Sequence, residues 1–306
     1  MKHFISIASC TLQELQHTLD VAAQLKQQLR AAGRNDPILA GKTLAMIFEK
    51  PSLRTRVSFS VAMTQLGGTG LLLRGEEVGW GQREAIEDVA RVLSGMCDGI
   101  TARTFEHEKV IALAKWATVP VVNALTDYSH PCQAMADVMT MREKFGDLRG
   151  RTLAFIGDGN NVARSLSVAC GKFGVRFILA TPAGYELPAA DMDRIMSQVP
   201  QMQFQTARDP AAAVRDADVI YTDTWISMGQ EAEKANRLRD FQGFMVDQNL
   251  LSRAPKHAIV MHCLPAYRGL EISADVLEGK QSVVFDQAEN RLHYQKGLLA
   301  VLIGGA

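Results

Sequence analysis

The chain has 306 residues, enough for two domains each with its own core, and its 33 Lys plus Arg balance its 33 Asp plus Glu. That neutrality excludes the basic footprint of a nucleic-acid binder and the polybasic arm of a membrane-surface protein, while leaving room for a local basic pocket. No stretch approaches the roughly 18 to 20 consecutive apolar residues of a membrane span, and the opening MKHFISIASC carries neither a long apolar run nor a cleavage site, so no secretory leader is expected.

The first element is predicted from Thr11 and Glu14, which form a capping-box pair ahead of Leu12, Leu15, Leu19, Ala22, Leu25 and Leu29 at helical spacing, with Gly33 as the stop. Short apolar runs then alternate with amphipathic stretches: TLAMIF (43–48), a helix from about 54, TGLLLR (69–74), a helix from about 84, DGITAR (98–103), a helix near 106–116, VPVVNA (119–124) and a long helix from Pro131. A second series follows: TLAFIG (152–157), a helix from about 161, RFILATP (176–182), a helix near 189–198, ADVIYTD (217–223), AIVMHCLP (258–265), SVVFD (282–286) and a last helix from Gln287 to about Leu302. Alternation of apolar strands with helices predicts an α/β fold of two doubly wound domains with mainly parallel sheets covered by helices. The boundary is placed in the 131–150 stretch, giving domains over 1–140 and 141–286. Ligands in such folds sit at the carboxyl ends of strands, so the residues just after each apolar run are the candidate site.

The strongest such segment is Phe48-Glu49-Lys50-Pro51-Ser52-Leu53-Arg54-Thr55-Arg56. Two hydroxyls, a guanidinium fork and the open amides of a helix start together describe an anion cradle. Arg103 ends a strand, and His130 and Gln133 open a helix, where they can hydrogen-bond a polarised carbonyl or amide. Gly157-Asp158-Gly159-Asn160-Asn161 suggests a dinucleotide loop, but position 162 is Val where the fingerprint needs a third glycine. Asn161 is read instead as a helix-start residue able to donate to a carboxylate. Asp223, at a strand end before Ser227-Met228-Gly229, suits an ammonium group. His262 beside Cys263 invites a thiol-protease reading, yet adjacent residues on extended chain point to opposite faces, which places His262 badly for activating that thiol. Arg291 near the start of the last helix is a third candidate anion ligand, though by itself it has the signature of a surface arginine. The cysteines, Cys10, Cys97, Cys132, Cys170 and Cys263, are sparse, odd in number and without CxxC, as in a cytoplasmic protein with reduced thiols.

Taken in order, FEKPSLRTR, REAIEDVARVLS, HPCQAMAD, GDGNN, DTWISMGQE, HCLP and FDQAENR closely resemble the ornithine carbamoyltransferase family, from residue 48 to about 291. The resemblance implies transfer of a carbamoyl group from carbamoyl phosphate to the side-chain amine of L-ornithine, giving L-citrulline and phosphate, with no cofactor and no metal. Another amine acceptor, such as putrescine or an acylated ornithine, is the alternative. It implies that Ser52, Leu53 (through its backbone), Arg54, Thr55 and Arg103 hold the phosphate. His130, Gln133, Cys263, Leu264 and Arg291 would surround the carbamoyl group. Asn161, Asp223, Ser227 and Met228 would hold ornithine, and Arg103, His130, Asp223 and Cys263 would act in catalysis. It further implies a C-terminal helix, 287–306, returning to the N-terminal domain, and a homotrimer or an assembly of trimers, with neither nucleic acid nor membrane as a partner. The chain departs from the family in having Leu53 where Thr is commoner, which removes a hydroxyl but leaves a backbone N–H. It also has Gly79 where some relatives carry a Gln that reaches a neighbouring subunit, with Gln82 and Arg83 close by.

Overall fold

The computed structural model describes all residues except Gln82 and Met228, with Glu231 described in its backbone only. It comprises two compact units, Met1–Met139 with Glu289–Ala306, and Thr140–Ala288.

The first unit opens with α1 (Leu12–Ala32). Thr11 and Glu14 close a reciprocal capping box at its start, and Gly33 at φ 68° ends it in the left-handed conformation that glycine adopts at least cost. Strands β1 (Thr43–Phe48), β2 (Thr69–Arg74), β3 (Gly99–Arg103) and β4 (Val121–Leu125) form a parallel sheet in the order β2-β1-β3-β4. The central strands β1 and β3 are almost wholly buried, while β2 at the edge alternates exposed and half-buried positions. That contrast follows from covering both faces of a central strand with helices. Helices α2 (Leu53–Gln65), α3 (Gly75–Val78), α4 (Ile86–Met96) and α5 (His107–Trp116) connect them, and Ala45, Ile47, Ile100, Ala102, Val110 and Leu113 share one core.

Helix α6 (Pro131–Phe145) contains the first passage between the units. In the second unit β5 (Thr152–Ile156), β6 (Arg176–Ala180), β7 (Phe204–Ala207), β8 (Val219–Thr222) and β9 (Ile259–His262) pair in parallel in the order β7-β6-β5-β8-β9. The helices are α7 (Asn161–Lys172), α8 (Ala189–Gln198), α9 (Pro210–Val214), α10 (Lys234–Asp240), α11 (Gln248–Leu251) and α12 (Ala274–Leu277). Helix α13 (Val284–Leu299) contains the second passage, and its later part belongs to the first unit. There Tyr294 packs on Phe4 with ring centroids 6.1 Å apart, and Lys296 donates to Asn35 and Gln65.

The fold class agrees with the expectation of two parallel α/β domains and a returning C-terminal helix. Two details differ. SVVFD, expected as a strand, contributes a single bridge from Ser282 to Val260 before α13 begins at Val284. Val283, Val284 and Gln287 are buried while Phe285 and Asp286 are exposed, which is helical rather than alternating periodicity. Strand β7 carries no apolar run that would mark it in the sequence, because at the edge of the sheet both Gln205 and Thr206 are exposed.

Candidate active site

In the first unit the chain turns from β1 into α2 through Ser52, whose hydroxyl caps the helix by accepting the Thr55 N–H. The amides of the first helical turn have no carbonyl one turn back, so they point outward with the positive end of the helix dipole. Thr55 is completely buried. Its Oγ1 accepts from Ser52 Oγ at 2.9 Å and from Arg291 Nη2 at 2.7 Å, joining residues 236 positions apart. Arg103 and Arg291 are buried, and Arg54 is half-buried. His130, just before the Pro131 that opens α6, has its imidazole held well below the ordinary pKa of 6.5, first by burial and then by the charges of Arg291, Arg103 and Arg54. The charges of three guanidinium groups thus act with burial to favour the neutral imidazole. Gln133 donates to Asp137 at 2.8 Å, and its buried Oε1 has no partner. The nearby Cys132 is a different case: burial pushes its thiol up to about 12, and it donates to the Asn123 carbonyl.

Glu49, which carried no role in the sequence reading, organises the outer side of this turn. Its carboxylate accepts from Trp80 Nε1, Lys109 Nζ and the Phe105 N–H. Lys50 pairs with Asp127 and lies over the Phe105 ring at 4.1 Å. A cavity of about 970 Å³ opens on this side, lined by Lys50, Ser52, Leu53, Arg56, Trp80 and Lys109 among others. It touches the cradle at Ser52 and Leu53 but not at Arg103, His130 or Arg291. Leu53 is 76% exposed, which fits a contribution through its amide alone.

In the second unit, the residues following β8 and β9 meet. Asp223 Oδ1 accepts from the Cys263 thiol at 2.9 Å and from the Thr224 N–H, and its Oδ2 accepts from Asn160 Nδ2 at 2.8 Å. Asn160, not Asn161, is the cap of α7, its Oδ1 accepting the Val162 and Ala163 amides. Sequence alone could not choose between two adjacent asparagines, either of which can cap. Asn161 is the first helical residue and is half-buried. Ser227 forms a turn with Gln230, accepting its N–H at 3.0 Å and donating its own to Gln230 Oε1. Met228, expected in the same role, lies outside the described residues. Arg237 on α10, also unforeseen, donates to Asp158 Oδ2 and to the Trp225 carbonyl, so one buried guanidinium ties the turn after β5 to the loop after β8. Burial raises the Asp158 carboxyl above its ordinary range.

The ligating atoms of Asp223, His262 and Cys263 lie within 4.8 Å of one another. Of the three, Cys263 donates to Asp223, while both ring nitrogens of His262 are engaged elsewhere: Nδ1 accepts the Leu264 N–H and Nε2 meets Glu271. His262 therefore does not activate Cys263, as expected from their adjacency. Gly159 has its own explanation: a Cβ there would lie 2.6 Å from the backbone of Glu186 and Leu187. Close packing, and not a dinucleotide, accounts for that glycine.

Comparison with known proteins matches residues 2–143 to the carbamoyl-P binding domain of aspartate/ornithine carbamoyltransferase and residues 149–302 to its Asp/Orn binding domain. An ornithine carbamoyltransferase of Acidothermus cellulolyticus is 51% identical, covering 100% of this chain and 98% of that one. One from Methanopyrus kandleri is 49% identical over 99% and 97% of the two chains. The solved structure of ornithine carbamoyltransferase from Pyrococcus furiosus superposes with a TM-score of 0.95 at 47% identity, covering 100% of this chain and 98% of that one.

Proposed function

This chain belongs to the aspartate/ornithine carbamoyltransferase family, and we propose that its two sets of site residues hold carbamoyl phosphate and L-ornithine for carbamoyl transfer. The reaction is carbamoyl phosphate plus L-ornithine to L-citrulline plus phosphate. In this reading Ser52, Arg54, Thr55 and Arg103, with the Leu53 amide, take the phosphate. Thr55 Oγ1 accepts from both Ser52 and Arg291, which leaves its own proton for a phosphate oxygen. His130, Gln133 and Arg291 take the carbamoyl group. The neutral imidazole of His130 can donate to the carbamoyl oxygen without becoming an imidazolium.

Asp223 and Cys263 receive the side-chain amine, with Asn161 and Ser227 toward the amino-acid end. A free amine of pKa about 10.4 is mostly protonated at neutral pH, so the reactive form must be selected or generated on the protein. Asp223 can accept that proton, and Cys263 and Asn160 orient its two oxygens. The neutral amine then attacks the carbamoyl carbon. The oxygen gains charge against His130, Arg103 and Thr55, and the C–O bond to phosphate breaks with both electrons leaving on phosphate, which is held by Arg54 and Arg103 and takes up the surplus proton of the attacking nitrogen.

The observation that carries this reading is the bond from buried Arg291 to Thr55, which joins α13 to the cradle after β1, beside a buried His130 whose imidazole is lowered by burial and by the charges of Arg291, Arg103 and Arg54. An assay of phosphate release and citrulline formation over a panel of amines tests it. Turnover is expected with ornithine and not with aspartate or putrescine, and equal turnover with putrescine would overturn the choice of acceptor.

A place in arginine metabolism belongs to the same proposal, since the product is citrulline. A cytoplasmic location is supported by cysteines that are sparse, odd in number and without CxxC spacing. Among the described residues no helix is long and apolar enough to cross a membrane. A homotrimer or an assembly of trimers is the proposed quaternary state, with the segment from Gly79 to Arg83 at the contact. The exposed apolar side chains of Leu53, Val57 and Leu71 support it, and Gln82 lies outside the described residues. Light scattering at three times the chain mass is the expected result.

A further inference from the structure

Asp223 and Cys263 touch directly, but the turn that carries the thiol is fixed by residues with no part in the reaction above. His262, the last residue of β9, is completely buried. Its Nδ1 lies 2.8 Å from the Leu264 amide, and its Nε2 lies 3.1 Å from Glu271 Oε1. An amide N–H can only donate, so Nδ1 accepts and the ring proton sits on Nε2, where it is donated to Glu271. Glu271 is also completely buried, and the same oxygen accepts the Tyr267 N–H. The His262 backbone is held separately: its N–H donates to Gln287 Oε1, and the Gln287 amide donates to the Tyr221 hydroxyl. Leu264 then adopts φ 58°, the one positive φ at a non-glycine residue among the described residues. An L-residue enters the left-handed region only when surrounding contacts over-determine it, and the bond from Leu264 N–H to the His262 ring is such a contact.

We propose that Glu271 and His262 are a buried positioning pair for the carbamoyl-transfer reaction. Glu271 fixes the tautomer and rotation of His262, His262 holds the left-handed turn at Leu264, and that turn aims the Cys263 thiol at Asp223. The inference rests on the reading that Asp223 and Cys263 receive the ornithine amine. Neither His262 nor Glu271 touches a substrate; both act through the main chain at Leu264. Glutamine at 271 keeps a carbonyl oxygen able to accept from both the imidazole and Tyr267, whereas leucine accepts from neither.

The test compares the full chain carrying E271L or E271Q, with two readouts: steady-state kinetics, and the iodoacetamide labelling rate of the Cys263 peptide without substrates. For E271L, kcat/KM for ornithine is expected to fall about 100-fold, the scale of a misplacement near 1 Å. Carbamoyl-phosphate affinity is expected to stay unchanged, and Cys263 labelling to shift several-fold. E271Q is expected to restore both. A merely structural Glu271 would lower thermal stability and leave kcat/KM per folded molecule and thiol labelling untouched, and that result overturns the proposal. So does E271Q behaving like E271L. Shifted labelling with unchanged turnover overturns the pair's part in the reaction together with the reading that Cys263 receives the amine, whereas unshifted labelling overturns the pair alone, so the two readings fail separately. If E271L does not fold, H262N against H262L reads the same turn. Asparagine can place an acceptor where Nδ1 stands and should retain the wild-type labelling rate, and leucine should not; equal labelling in both contradicts the proposal.

Discussion

Thr55 shows how a single buried hydroxyl can join distant parts of a chain. Its oxygen accepts from Ser52 and from Arg291, so the cradle and α13 share one atom. Thr55→Val should leave the fold intact and weaken carbamoyl-phosphate binding by roughly 10- to 100-fold, the equivalent of about 1.5 to 3 kcal/mol for hydrogen bonds to charged groups. Calorimetric titration reads that loss. Asp223→Asn removes the one carboxylate that accepts from Cys263, Thr224 and Asn160. The expected result is a fall in kcat of about 10²- to 10⁴-fold, the usual range for a lost proton acceptor, with carbamoyl-phosphate affinity unchanged. Residues at this scale were legible where their chemistry is distinctive and sits at a strand end, as with Arg103 and Asp223. Asn160, Arg237, Glu49 and Glu271 were not legible. A buried carboxylate or guanidinium that binds only protein groups has the same sequence signature as a surface one.

At the scale of elements, the alternation of apolar runs and amphipathic stretches predicted most of both sheets. The capping box at Thr11 and Glu14 and the Gly33 stop bounded α1 from local chemistry alone. The misreadings fell where burial rather than propensity decides. Val283-Val284 is β-branched yet enters a helix because residues 284 and 287 turn inward together, and β7 is an edge strand with nothing apolar to show. Two glycines make a further test. A Cβ at Gly297 in α13 would lie 2.6 Å from the Cβ of Ala22 in α1, and one at Gly159 would lie equally close to backbone. Gly297→Ala and Gly159→Ala should each cost about 1 to 3 kcal/mol by overpacking, measured as a lower urea midpoint. A Gly33→Ala control in open space should be strained by its φ of 68° alone.

For the whole molecule, a net charge of +0 concealed the positive field of Arg54, Arg103 and Arg291 that, with burial, lowers His130. Buried histidines also shape the acid response. Burial lowers His293 to about 4 from its ordinary 6.5. The unfolded chain therefore takes up this proton first as pH falls, so stability is present above 6.5 and declines from there to about 4. Melting temperature should drop across that window, and His293→Gln should flatten part of the drop. A variant as acid-sensitive as the wild type would remove His293 from the account. The phosphate-holding role of the arginines is tested most directly by titrating carbamoyl phosphate into the wild type and into Arg54→Ala and Arg103→Ala chains whose circular dichroism is unchanged. One site per chain is predicted for the wild type, with affinity lost by about 100-fold or more in each variant, since both arginines would hold the same dianion. A folded variant of either kind that binds like the wild type would contradict the account.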